Sequence, residues 1–239
     1  MKYVWASGTD AGRVREHNED SLFPKTSGNA DGPVVLMVAD GMGGAVAGEV
    51  ASGLAVEAAA FDHEDDSIEP IARVASANEA VIEAALADPS LSGMGTTMTL
   101  VRLNPDGTAD FAHVGDSRAY LLSEGGMRLL TNDHTVINEL IELGKITPKE
   151  ASNHPHRHML TRVLGIGPIS IDTFSIELQS GDRILLCSDG LTTMVADFTI
   201  EQILDAGEGV EPSSWALIEQ ANTAGGVDNT TVVVIDVLP

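Results

Sequence analysis

Cysteine is nearly absent from this 239-residue chain, in which Cys187 is the lone thiol. A single cysteine excludes an internal disulfide framework and fits a reducing, cytoplasmic setting. Aromatic residues are scarce at 4%, so within a hydrophobic content of 43% the core has to be filled by Ala, Val, Leu and Ile. Basic residues are outnumbered, 13 against 36 acidic ones, and the formal net charge is −23. Such a field repels nucleic acid and anionic membrane surfaces, so neither is expected as a partner. It would also repel an anionic substrate unless local cations reversed it at the site. No apolar run approaches the ~18 residues of a membrane span. The richest stretch, residues 50–61, is interrupted by Glu57. Lys2 is followed by no sustained apolar segment, so no signal peptide is expected. Repeats, low-complexity linkers and charge steps are missing too, which predicts one domain over residues 1–239.

What is present is a series of short apolar strands with helices early and late. A strand over residues 2–9 leads into a polar loop, 12–20, that carries Arg13, Arg15, Asn18, Glu19 and Asp20. A strand over 33–39 precedes a helix over about 44–62, opened by Gly43 and Gly44, then a charged break at His63-Glu64-Asp65-Asp66. The next helix, about 69–88, places Ile71, Val74, Ala75, Asn78, Val81, Ile82, Ala85 and Leu86 on one face. Strands at 96–103 and 108–114 flank the turn Asn104-Pro105-Asp106-Gly107, and strands at 118–123 and 127–131 flank Glu124-Gly125-Gly126. A polar, partly helical insertion over 132–158 follows, then strands at 171–178 and 183–188, helices at 199–206 and 212–223, and a closing strand at 230–237. Hairpins of this kind predict an α+β fold with antiparallel sheets covered by helices. A doubly wound parallel sheet would need strand and helix to alternate throughout.

The chemistry-bearing pattern is a set of aspartates at the ends of these strands. Asp40-Gly41 follows Val34-Val35-Leu36-Met37-Val38-Ala39, and Asp189-Gly190 follows Ile184-Leu185-Leu186-Cys187-Ser188. Asp116 closes Phe111-Ala112-His113-Val114-Gly115, Asp228 precedes the last strand, and Asp20 ends the Arg-bearing loop. The pairs Asp31-Gly32 and Asp106-Gly107 sit among Asn, Pro and Gly and read as turns. Any one strand-end aspartate is an ordinary loop cap. As a set, carboxylates a few ångströms apart raise one another's pKa unless a cation neutralises them. Gly41 can bring a bare carbonyl beside the Asp40 carboxylate, and oxygen donors of this kind suit a hard divalent ion.

Six motifs carry a resemblance. Gly12-x-x-Arg15-x-x-Asn18-Glu19-Asp20, Ala39-Asp40-Gly41-Met42-Gly43-Gly44, Gly95-Thr96-Thr97, Gly115-Asp116-Ser117-Arg118, Ser188-Asp189-Gly190-Leu191 and Asp228-Asn229-Thr230-Thr231 stand in the order seen in the protein phosphatase 2C family. These are the metal-dependent protein serine/threonine phosphatases, and over residues 12–234 the chain resembles their bacterial branch. The resemblance implies a β-sandwich of two antiparallel sheets flanked by helices. It implies two Mn²⁺ or Mg²⁺ ions bridged by Asp40, with the carbonyl of Gly41 on one ion and Asp189 and Asp228 on the other. Asp20 would bind directly or through water, Glu19 would stand behind it, and Asp116 with Asp189 would hold a third ion. Arg15 matches the phosphate-binding arginine, and its planar fork suits two phosphoryl oxygens. Arg13 and Arg118 are read as structural or rim residues.

The implied reaction is direct hydrolysis of phosphoserine or phosphothreonine by a water activated between two ions, with no phosphoenzyme intermediate. Its partners would be phosphorylated proteins and the kinase it reverses, and a monomer is expected. Where eukaryotic members carry a histidine proton donor this chain has Met42, and His134 is not read as its replacement. Residues 132–164, from Asn132 at one end to Leu164 at the other, resemble the family's flap, read as mobile, solvent-facing and substrate-selecting. Within it His154, His156 and His158 stand at alternating positions, a pattern that zinc ligands can share, but a polar loop is the reading adopted. A cysteine-dependent phosphatase is excluded because Thr193 stands where its arginine would follow Cys187. A phosphatase of anti-anti-sigma factors would usually bring a sensor domain. A binding-only relative would shed metal aspartates, and a structural Ca²⁺ protein would not need Arg15.

Overall fold

The computed structural model describes every residue except 44–46, 63, 64, 66, 67, 152, 153 and 157. The chain opens with β1 (Lys2–Asp10), β2 (Asp20–Phe23), β3 (Gly28–Ala30) and β4 (Val34–Met42), followed by α1 (Ala47–Ala60) and α2 (Pro70–Ala87). The middle holds β5 (Gly95–Thr96), β6 (Met98–Leu103), β7 (Thr108–Val114), β8 (Arg118–Ser123) and β9 (Gly126–Leu129), then α3 (Val136–Glu142) and α4 (Pro148–Ala151). The last part is β10 (Asp172–Glu177), β11 (Arg183–Cys187), α5 (Asp189–Met194), α6 (Asp197–Asp205), α7 (Val210–Thr223) and β12 (Thr230–Leu238). One sheet runs β3-β1-β12-β11-β8-β9 and the other β10-β7-β6-β4-β2, with β5 paired to β4. The strand pairs between them are antiparallel. No helix among the described residues is long and apolar enough to cross a membrane.

Alternation along the central strands explains the four layers. Ile184, Leu186, Val233, Ile235 and Val237 turn inward and meet Leu36, Val38, Val101 and Leu103 of the facing sheet. The intervening Leu185, Cys187, Val232 and Val234 turn outward under Leu191, Ile200, Leu217 and Ile218 of the late helices. On the opposite outer face Val35, Met37 and Leu100 meet Ala51, Ala55, Val74 and Val81 of α1 and α2. Strands buried on both faces read as continuous apolar runs, which is how β4 and β11 appear in the sequence. Small residues line the buried side of α1, among them Gly48, Ala51, Ser52 and Ala55, so the helix lies close to β4. A Cβ on Gly41 would strike the carbonyl of Gly48.

The structure differs from the sequence reading at several elements. The expected start of α1 at residues 44–46, and His63, Glu64 and Asp66 of the charged break, lie outside the described residues. The buried face of α2 is Pro70, Arg73, Val74, Ala77, Asn78 and Val81, while Ile71 and Leu86 are exposed. Arg73 rotates this face: fully buried, it donates to the carbonyls of Ala59, Phe61, Asp62 and Asp65 at 2.8–3.0 Å, closing the C-terminal end of α1. Arg73→Met removes the guanidinium from all four carbonyls, of which Asp62 and Asp65 keep the N–H groups of Asp65 and Ile68, and we expect a loss of about 3 kcal/mol. By thermal melting this is a fall of roughly 6–12 °C at this chain length. An unchanged melting temperature would show that water replaces the guanidinium.

Candidate active site

The two sheets deliver acidic side chains to the same end of the sandwich. From one come Asp20 at the start of β2, Asp40 near the end of β4 and Asp116 in the loop after β7; Asp20 and Asp40 are direct antiparallel partners. From the other come Asp189, the first residue of α5 after β11, and Asp228, two residues before β12. Asp40, Asp116, Asp189 and Asp228 line a cleft of about 720 Å³ together with Arg15, Glu19 and Gly41. Asp20 lies behind them and is buried.

Backbone contacts fix this mouth. The Asp40 N–H donates to Thr97 Oγ1 (2.9 Å), and its carbonyl accepts from Thr97 N (2.9 Å) and Thr96 Oγ1 (2.9 Å). The Gly41 N–H donates to the Glu19 carbonyl (3.1 Å), which also accepts from Ser52 Oγ (2.6 Å). Asn229 gathers the other side: its Nδ2 donates to the carbonyls of Ala11 (3.0 Å) and His17 (2.9 Å), and its Oδ1 accepts from Glu19 N (2.8 Å). A Cβ on Gly190 would strike the Asn229 carbonyl, so α5 can start against β12 only with glycine at this position. The sequence alone points to no role for Asn229, Thr97 or Ser188, although each stands in one of the quoted motifs.

The electrostatics of the cluster are unfavourable without a cation. Burial, with Asp189 and Asp228 nearby, pushes the Asp20 carboxyl up to about 7, although the Thr231 and Ser188 hydroxyls pull it down. Ser188 Oγ donates to Asp20 Oδ2 at 2.7 Å, while Asp20 Oδ1 and Glu19 Oε1 are buried without a hydrogen-bond partner. Asp40 is held well above the usual carboxylate range, first by burial and then by Asp20, Asp189, Asp116 and Asp228. Asp116 is pushed up to about 8 by burial, Asp189 and Asp133. Asp189 is raised by burial and Asp228, and a hydrogen bond with Asp40 opposes the rise. The mouth therefore attracts protons or metal ions, and its donors are oxygens. Among the described residues no three acidic, His or Cys side chains close on one point tightly enough to hold an ion by themselves. Mg²⁺ sites ordinarily use one or two carboxylates and complete the shell with water.

Arg15 is the one Arg or Lys among the described residues lining the cleft. Its Nη2 donates to Asp228 Oδ2 at 2.7 Å with the side chain 49% exposed, and Asp228, Glu19 and Asp40 raise its pKa. Arg118 is committed elsewhere, with three contacts of 2.6–3.2 Å to Asp133 and one of 3.0 Å to the Tyr120 hydroxyl. Arg13 is exposed. His134 is buried, accepts from Gly115 N at Nδ1 (3.0 Å) and meets Asp172 at Nε2 (3.1 Å), so it braces the loop before Asp116 instead of facing the cleft. His154 and His156 meet edge to face with centroids 5.5 Å apart, whereas His158 lines the cleft. Cys187 is buried in the outer layer of the first sheet, and burial pushes its thiol up to about 12.

The stretch read as a solvent-facing flap is anchored at both ends. Thr135 bridges Leu160, and Thr96 bridges Leu164, which is fully buried. Asn78 also holds its end, receiving the Gly165 N–H at 2.9 Å.

The profile of the protein phosphatase 2C family matches residues 7–220. The chain is 38% identical to the serine/threonine phosphatase stp of Listeria monocytogenes over 95% of this chain and 93% of that protein. It is 42% identical to the serine/threonine protein phosphatase PstP of Mycobacterium tuberculosis, over 98% of this chain and 45% of that longer protein. The fold superposes on a crystal structure of the Mycobacterium tuberculosis PstP with a TM-score of 0.90 at 39% identity, covering 100% of both chains. It matches the catalytic domain of PstP in complex with two manganese ions with a TM-score of 0.88 at 38% identity, again over 100% of both chains.

Proposed function

The chain belongs to the protein phosphatase 2C family, and we propose that it hydrolyses phosphoserine and phosphothreonine in proteins phosphorylated by a serine/threonine kinase, by direct attack of water. It is a metal-dependent protein serine/threonine phosphatase that uses Mn²⁺ or Mg²⁺. The observation that carries the finer reading is the gathering of Asp20, Asp40, Asp116, Asp189 and Asp228 at one mouth beside Arg15, the first four with carboxyls held above their ordinary range.

The residues present fit such ions. Buried carboxylate oxygens on Asp20 and Glu19 lack partners, and the raised carboxyls are relieved by positive charge. Asp40 would be shared by two ions, with the Gly41 carbonyl on one and Asp189 and Asp228 on the other. Asp20 would ligate directly or through water, with Glu19 behind it, and Asp116 with Asp189 would hold a third ion. When bound, the ions supply an acidified water and positive charge against the phosphoryl oxygens.

Arg15 binds and orients the phosphate. Its pairing with Asp228 leaves it half-exposed at the cleft mouth, where its fork can meet two phosphoryl oxygens. Met42 lines the cleft and has no ionisable proton to give, so the leaving alkoxide is protonated by some other group. The segment 132–164 forms part of the cleft wall and would help to choose substrates. The enzyme acts as a single-domain monomer.

The test is hydrolysis of p-nitrophenyl phosphate and of a phosphothreonine peptide with Mn²⁺, with EDTA and with Asp189→Asn. Turnover of both substrates is expected with Mn²⁺, lost in EDTA and in the variant. Turnover that survives EDTA would exclude the mechanism, and no turnover despite bound Mn²⁺ would leave a binding protein.

A further inference from the structure

Four large apolar side chains that are exposed among the described residues gather at the cleft: Val14, Met42, Met159 and Ile166, at 64, 39, 49 and 62%. Exposed apolar residues scattered singly are normal, but a set collected on the rim of one cleft marks a surface that another molecule covers. Leu160 and Val163 continue the wall between Met159 and Ile166.

This wall is tied to the carboxylate strand. Leu164 N–H donates to the Thr96 carbonyl (2.9 Å) and Thr96 N–H donates to the Leu164 carbonyl (3.2 Å). The same β5 pairs with β4, Thr96 opposite Gly41 and Gly95 opposite Met42. Gly95 is the floor: a Cβ there would lie 2.8 Å from the Leu164 carbonyl oxygen and 3.5 and 3.7 Å from Val163 and Ile166 side-chain atoms. The apolar surface is therefore held at a fixed place beside Asp40 by one strand pairing and one β-bridge.

We propose that this wall is a specificity pocket for a bulky apolar residue flanking the phosphorylated serine or threonine of the protein substrate. The inference rests on the phosphatase reading above. A cleft of about 720 Å³ is far larger than a phosphate needs, so with the phosphate at Arg15 and the carboxylates the substrate chain continues along it. The cleft-lining residues from Met159 to Ile166 carry no charge. A charged flanking side chain would lose water there without gaining a partner, whereas an apolar one is buried at no such cost.

The experiment compares phosphothreonine peptides that carry Leu or Ser at each position from −3 to +3, with Mn²⁺ present. For the wild-type enzyme, Leu is expected to raise kcat/KM about tenfold at a position on one side of the phosphothreonine. Ile166→Ser and Val163→Ser should each reduce that Leu/Ser ratio to about twofold. Leu86→Ser, at an exposed site on α2 that does not line the cleft, should retain it. Because the ratio is internal to each preparation, partial misfolding or lost metal cancels. The proposal is overturned if no position favours Leu, or if both wall variants keep the preference. A concentration-dependent dimer that Ile166→Ser dissolves, with no peptide preference, would assign the wall to a second copy of this chain. Failure of the wild-type enzyme to turn over any peptide or p-nitrophenyl phosphate would remove the phosphatase reading, and this inference with it.

Discussion

Asp40→Asn is expected to abolish turnover, by about 10³-fold or more, while making the metal-free protein more stable. The two effects have one cause. Asp40 is surrounded by Asp20, Asp189, Asp116 and Asp228, which together with burial hold its carboxyl protonated well beyond the ordinary range. Each pH unit of that displacement costs about 1.4 kcal/mol, and an amide of the same shape does not pay it. The amide, in turn, lacks the negative oxygen that Asp40 would offer to the ions of the proposed site. Melting curves in EDTA should rise by roughly 2–4 °C per kcal/mol relieved. With saturating Mn²⁺ the order should reverse, because the wild-type protein gains binding energy, about 2.7 kcal/mol at a hundred times Kd, that the variant largely forgoes. A variant that melts below wild type in EDTA would show that the Asp40 carboxyl makes a net favourable contact in the empty site.

The second expectation is that the metal-free protein loses stability as pH rises from about 5 to 8, and that Mn²⁺ reverses the trend. Unfolded aspartates release their protons near pH 4. In the folded chain Asp20 keeps its proton to about 7 and Asp116 to about 8, and Asp40 and Asp189 are raised as well. Over that window the native state binds more protons than the unfolded state, so the slope of unfolding free energy against pH is negative. The stabilisation is complete below the unfolded value and is lost as pH climbs through 7 and 8. One such proton contributes about 1.4 kcal/mol per pH unit. Metal binding displaces those protons, so with Mn²⁺ stability should rise over the same range. Urea titrations at pH 5, 6, 7 and 8 in EDTA and in Mn²⁺ measure both slopes. A flat profile in EDTA would mean that the carboxylates are solvated well enough to ionise freely.

Much of the site was legible because its aspartates follow strands whose apolar runs are unmistakable. The contrast between Asp40-Gly41 after six apolar residues and Asp106-Gly107 within a polar turn is a local one, and it needs no knowledge of the fold. Other features were out of reach. With six residues, α5 is too short for a 3.6-residue period to register, and β2 and β3, with four and three, show no alternation to count. Arg73 defeated the pattern on α2, because a buried guanidinium counts as polar until the carbonyls it serves are known. Asn229 and His134 act through contacts with residues distant in sequence, such as Ala11 and Asp172, that only the folded chain brings together. The fastening of Leu160 and Leu164 to residues far up the chain was hidden for the same reason.

The delivery of Asp20, Asp40 and Asp116 from one sheet and Asp189 and Asp228 from the other makes the interior of the sandwich a caliper. Its jaws are the strand ends, and its opening is set by Leu36, Val38, Ile184, Leu186, Val233 and their neighbours between the sheets. Close packing leaves such an interior little freedom to breathe, so the span between the jaws is fixed before any ion arrives. The hydrophobic core is thus part of the measuring instrument, and a methyl group added or removed far from the cleft alters the gap that the chemistry is read across.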